Sequence, residues 1–267
     1  VRSAFALVFM LVVPLLAQDP ADIVRRSVER DWTDYGSIRD YTYQQRSEFR
    51  RYSSDGQLTS KRSTTNEILI LADRPYERPI ARDDRPLSGK EARKEQMKLD
   101  KEVAKREHES PADRAKEEKE RSEDRQFIRE IPDAFSFRLL GVETISGLPA
   151  WVIEADPKPD YRPVNSRAKS FSNVRAKIWI EQATYHWVKA EAQVLDTLSF
   201  GFGLLRIGSG STLHFEQTHV NNEIWLPSSI LVRANGRLAL VKKLRVELDV
   251  HYSDYKKFQS DAHMVAE

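Results

Sequence analysis

Apolar and polar residues alternate one by one over long stretches of the chain's second half. The clearest run is 244–252. Leu244, Val246, Leu248, Val250 and Tyr252 fall on one side, and Arg245, Glu247, Asp249 and His251 on the other. Period two sustained this long predicts an antiparallel strand with one dry face and one wet face. The segment AKIWIEQATYHWVKAEA (176–192) shows the same alternation twice. Ile178 and Ile180 oppose Lys177, Trp179 and Glu181. Beyond a polar turn at Ala183-Thr184, Val188, Ala190, Ala192 and Val194 oppose Lys189, Glu191 and Gln193. NEIWLPSSILVRANGRLAL (222–240) reads as an Ile-Trp pair, a break, and a second strand-like run.

Turn chemistry places the hairpins. Asp55-Gly56 joins two β-rich runs within 41–71, and Ser146-Gly147 joins two more within 135–157. Arg74-Pro75 and Arg85-Pro86 bracket a less regular stretch with room for a short strand. Roughly nine to eleven strands of this kind must close into a barrel, stack as a sandwich, or curve around the few helices available. One amphipathic helix precedes them. Residues 20–35 carry Ile23, Val28, Trp32 and Tyr35 on a stripe, with Pro20 at the start and Gly36 after the end. A β-rich sheet behind one such helix suits the third arrangement: an α+β fold in which a strongly curved antiparallel sheet, a half-barrel, holds a helical plug on its concave face.

Residues 88–126 differ in kind, with twelve Lys/Arg against twelve Asp/Glu. Ser88 with Glu91 forms a capping box, and Ser110-Pro111 with Asp113 starts a second helix. The expectation is a charged helical insertion at about 88–130, hinged at Pro111 and supported by Glu102–Arg106 and Glu117–Arg121 pairs. Met97, Leu99 and Val103 are its candidates for core contact. Its surface is either simply solvated or a lid or docking arm.

Composition narrows the chemistry. There is no cysteine, so disulfides, thiolate metal sites and thiol nucleophiles are excluded. Lys and Arg number 43 against 41 Asp and Glu, a balance that gives no support for nucleic-acid binding. The first 17 residues, one Arg followed by an apolar run to Ala17, match a secretory signal peptide cut near Ala17. A single domain over 18–267 in the periplasm is then expected, without a stable membrane span. The histidines show no metal-ligand spacing; His214 and His219 stand five apart, on opposite faces of a strand. GFGLLR (201–206) has Arg206 where a dinucleotide fingerprint needs glycine, and RIGSGST (206–212) lacks the lysine of a phosphate loop. Both read as turn or bulge glycines. No catalytic residue, metal site or cofactor is predicted.

An apolar cavity needs no such equipment. Burying about fifteen methylenes at ~0.8 kcal/mol each grosses roughly 12 kcal/mol, against an association cost of ~4–15 kcal/mol. The residues expected to face inward as lipid-cavity candidates are Ile178, Ile180, Val188, Val194, Leu244, Val246, Leu248 and Val250. The alternative is that this face is packed core.

The order DPKPDYRP, AKIWIEQATYHWVKAEA, GFGLLRIGSGSTLHFEQTHVNNEIWLP, SSILVRANGRLAL and YSDYKKF, covering about 135–258, resembles the outer-membrane lipoprotein-sorting proteins of the LolA/LolB-like periplasmic carrier superfamily. The resemblance implies a half-barrel plugged by helices. It also implies a monomeric, non-enzymatic carrier that receives the acyl chains of a lipoprotein or lipid from an inner-membrane donor and passes them to an outer-membrane acceptor. Because the superfamily includes envelope sensors, a sensor or scaffold that docks a protein partner is the alternative. The charged segment 88–126 departs from the basic carrier pattern, and the lack of cysteine excludes the lipid-anchored acceptor type.

Overall fold

The computed structural model describes residues 18–200, 205–238 and 242–257. The segment read as a signal peptide and the first four residues of GFGLLR lie outside them. Helix α1 (Pro20–Asp34) buries Ile23, Val24, Ser27 and Val28 on one stripe. A 3-10 segment leads into β1 (Tyr41–Tyr52) and β2 (Leu58–Leu71), joined by a turn in which Gly56 takes φ +89°. β3 (Arg74–Arg82) and the short β4 (Arg85–Pro86) follow, then α2 (Gly89–Glu107), α3 (Pro111–Arg125) and α4 (Ile131–Ala134). β5 (Phe135–Ile145) and β6 (Leu148–Pro157) turn at Ser146-Gly147, both with positive φ. A 3-10 segment over 166–173 precedes β7 (Val174–Glu181) and β8 (Trp187–Val194). β9 (Leu198–Phe200), β10 (Leu205–Ile207), β11 (Thr212–Val220), β12 (Ile224–Leu238) and β13 (Lys242–Lys257) complete the chain.

All the strands join one sheet in the order β4-β3-β2-β1-β13-β12-β11-β8-β7-β6-β5, with β10 paired to the end of β12 and β9 to β10. Every pairing is antiparallel. The sheet does not close on itself, so the architecture is a β-rich α+β half-barrel. Two sequence expectations change. The stretch between the Arg-Pro pairs is a nine-residue strand, β3, bulged at Ile80 and near the sheet's margin, where Pro75 and Pro79 do least harm to the ladder. The break at Leu226-Pro227-Ser228-Ser229 is a bulge inside a single strand. Glu216 pairs Ser229 and Gln217 pairs Pro227, so Ser228 is the extra residue and β12 runs on.

The outer face is a lattice of opposite charges. Lys177 stands between Glu154 and Glu191, and Glu247 between Arg50 and Arg233. The buried Glu48 accepts from Arg46 and is also paired by Arg50 and Lys61. These bonds, led by that of Arg46, lower its carboxyl from 4.5 to about 2.

The charged helices form as read: the Ser88/Glu91 capping box closes in both directions, and Ser110 caps α3. Glu102–Arg106 and Glu117–Arg121 pair at 2.7 and 3.2 Å. Leu99 and Val103 are half-buried, whereas Met97 is exposed and the buried residue of α2 is Glu95. Glu95 is held there by Lys98 at 3.0 Å and Arg82 at 3.4 Å. Arg106 donates to the carbonyls of Leu71, Arg74 and Pro75, fastening α2 to the β2–β3 turn.

Candidate functional site

Register shows which residues share the helix-covered inner face, because directly opposite residues project to the same side. One row crosses seven strands: Ile153 (β6), Ile178 (β7), Ala190 (β8), Phe215 (β11), Ile230 (β12), Val250 (β13) and Ser47 (β1). The next row runs Ala155, Ala176, Ala192, Leu213, Val232, Leu248 and Phe49. A single apolar band therefore crosses the sheet from β6 to β13 and reaches Phe49 of β1.

Its cover changes along the way. At β6 and β7 it is packed core: Ile153 is 0% and Ile178 3% exposed, and both join Trp151, Ala155 and Ile180 against Ile23, Val24 and Val28 of α1. At β11 to β13 and β1 the same rows are half-open. Phe49 is 39% and Leu213 38% exposed, and Phe215, Ile230, Val232, Val246 and Leu248 are half-buried. The helices only border this part. A cavity of about 250 Å³ separates Asp31, Ile38 and Arg125 from Phe215, Ile224 and Leu226. From Leu244 to Tyr252 the open strip is about 26 Å long, and across β11 to β1 about 14 Å wide.

The predicted residues thus divide. Ile178 and Ile180 belong to the packed core. Val246, Leu248 and Val250 line the open strip, Val250 the most covered at 5% exposed. Leu244 stands at its upper end opposite Gly236, and Val194 at the upper end of β8 opposite Val174. Val188 is set apart. The register slips between Trp179 and Ile180, making Val188 the extra residue of β8, and it packs with Ala150, Val152, Trp179 and Trp225 in a second cluster. Strict alternation puts it with Ile178; the bulge removes it. Sequence reasoning passed over Leu213, Phe215, Ile230 and Val232, although each lies in an alternating run. Phe49 carries no such signal, since its strand YTYQQRSEFRRY is polar on both sides.

Charged groups frame the strip. Arg125 of α3 pairs Asp31 of α1 at 2.6 Å, and Asp34 meets His186 of the β7–β8 turn at 2.7 Å. Burial pushes the Asp31 carboxyl up despite the guanidinium beside it. The buried Arg74 binds Glu109, just before α3, and Glu117 at its middle, where Arg39 binds Glu118 at 3.0 Å. Residues 111–120 are all exposed. α3 is a strap from the β2–β3 turn to α1, held by ion pairs at its middle through Glu117 and Glu118 and at its C-terminal end through Arg125.

No family model matches the chain, and no curated protein matches it. Solved structures do. A DUF1329 family protein from Desulfovibrio piger aligns over 92% of this chain and 95% of its own, at 13% identity and a TM-score of 0.35. An outer membrane lipoprotein-sorting protein domain from Vibrio parahaemolyticus aligns over 90% and 95%, at 12% identity and 0.33. A LolA superfamily protein from Nitrosomonas europaea aligns over 91% and 94%, at 11% identity and 0.32. At such identities and scores, no residue role or activity transfers to this chain. No helix among the described residues is long and apolar enough to cross a membrane.

Proposed function

We propose that this protein is a periplasmic, non-enzymatic carrier that binds acyl chains of lipoproteins or lipids along the open half of its inner face, for transfer towards the outer membrane. The observation that supports the reading is the change of cover along one apolar band. The rows that α1 seals at β6 and β7 continue without a polar break to β13 and there stand half-open. Half-open apolar rows across four strands are costly to leave in water, and an acyl chain lying on them recovers about 25 cal/mol for each Å² it covers. α2 and α3 are fastened to the sheet and to α1 rather than projecting as an arm, which weighs against the scaffold reading.

Native mass spectrometry of residues 18–267 recovered from a bacterial periplasm, followed by organic extraction, tests the proposal. A stoichiometric lipid or lipopeptide is expected. An empty protein that also leaves a fluorescent fatty acid unbound would refute it.

A further inference from the structure

Like charges directly opposite each other in the middle of this sheet share an opposite charge: Glu48 joins Arg50 and Lys61, and Arg50 joins Glu48 and Asp249. A row at the upper margin has no such partner. Arg206 of β10 lies directly opposite Arg237 of β12, and Arg237 directly opposite Lys243 of β13. One step along the same face, Arg245 stands opposite Asn235. Like charges placed directly opposite destabilise a ladder, and here three stand in one row. All four cations are exposed, and none makes an ion pair with a described carboxylate. Lys177, by contrast, is bracketed by Glu154 and Glu191.

The four side chains line one cavity of about 470 Å³, together with Tyr52, Ser54 and Thr197. No carboxylate is among its described lining residues. Asp55 and Asp196, next to it in the chain, are engaged with the Ser53 hydroxyl and the Thr197 amide. The wall behind is rigid. Ser211, buried, donates to the Gly208 carbonyl and accepts from the Asn235 amide, while the Gly208 amide donates to the Asn235 carbonyl at 2.7 Å. A Cβ at Gly208 would fall 2.4 Å from Asn235 Oδ1, and one at Gly236 only 2.0 Å from the Arg206 carbonyl oxygen. Glycine at both positions lets β10 press close enough to bring Arg206 into the row.

We propose that this cavity is an anion site that takes a phosphate group, the chemistry shared by an anionic phospholipid headgroup and a small phosphate ester. Guanidinium forks match phosphate oxygens two at a time, and a bound phosphate turns a repulsive row into a neutralised one. The hydroxyls of Tyr52, Ser54 and Thr197 add neutral donors around it, and the volume suits a small ligand. The cationic row shares the outer face with Glu247, while Leu244, on the side of the apolar strip, also borders this cavity at the sheet's margin. The site stands whether or not the strip binds acyl chains.

Calorimetry with glycerol 3-phosphate, and flotation with phosphatidylcholine vesicles with and without phosphatidylglycerol, test it on the full mature chain. The wild type should bind the phosphate ester, the anionic vesicles, or both, and should ignore neutral vesicles. Binding of vesicles alone assigns a membrane headgroup as the source, and binding of the ester alone a soluble ligand. R237Q/K243Q should weaken binding roughly tenfold or more and melt no lower than wild type, because it relieves the repulsion. R138Q/R175Q removes two positive charges paired with Glu154 and Asp156 on the far strands, and should leave binding unchanged. Failure of the wild type to bind either probe, or equal weakening by the two double variants, would overturn the proposal.

Discussion

Ile178 and Phe49 lie on the same inner face in adjacent rows, one sealed and one open, so truncating each separates core from binding surface. Ile178 is 3% exposed and packs against α1. Ile178→Ala leaves a cavity and should cost about 3 kcal/mol, lowering Tm by about 6–12 °C for a chain of this size. Phe49 is 39% exposed. A phenylalanine has roughly 200 Å² to bury, so a ligand lying over its open part covers about 80 Å², worth about 2 kcal/mol at 25 cal/mol per Å². Phe49→Ala should therefore bind a fluorescent fatty acid up to about thirtyfold more weakly, with a fall in Tm of no more than about 3 °C. Differential scanning fluorimetry and fluorescence titration on the same samples give both numbers. If Phe49→Ala melts as low as Ile178→Ala and binds the probe as well as wild type does, the open rows are structural and the carrier reading fails.

Three further outcomes follow from the geometry. Glu48, lowered to about 2 by its cations, contributes stability that is complete above its ordinary 4.5 and is lost as pH falls through about 2. Glu48→Gln should cost about 3 kcal/mol at neutral pH, and acid titration of its Tm should be flatter between those values than that of the wild type. Gly236→Ala, whose Cβ would meet the Arg206 carbonyl at 2.0 Å, should cost about 1–3 kcal/mol and speed hydrogen exchange at residues 205–207 before the rest of the sheet. Arg74→Gln frees Glu109 and Glu117 from their buried partner, and limited proteolysis should then cut within 108–120 faster while the sheet stays intact.

Local patterns carried much of this fold. Alternation in 244–252 marked β13, and Asp55-Gly56 and Ser146-Gly147 marked turns that do take positive φ. Ser88 with Glu91 marked a helix start down to its reciprocal bonds. Bulges were not legible, because an added residue is visible only once the partner strand is known: Ser228 and Val188 each shift a face that strict period two assigns otherwise. The division of the candidate residues into core and open strip was equally hidden, since Ile178 and Val246 have the same pattern and differ only in whether a helix lies above them. The cationic row depends on β10 crossing to β12, a pairing between residues with more than twenty positions between them, and no local signal announces it.

The pairing of β1 with β13 joins Tyr41 to Lys257 and Arg51 to Val246. The first strand of the sheet therefore has no neighbour on that side until almost the whole chain has been delivered. β5 to β8 and β11 to β13 are linked mainly by short connections and can zip in order, while β1 to β3 must wait as a separate hairpin system. Contacts this distant in sequence make folding slow, and the open strip, which straddles the β1–β13 seam, is the last surface to be completed. A chain truncated before residue 246 would keep the α1-covered half and lose the floor on which the strip is built.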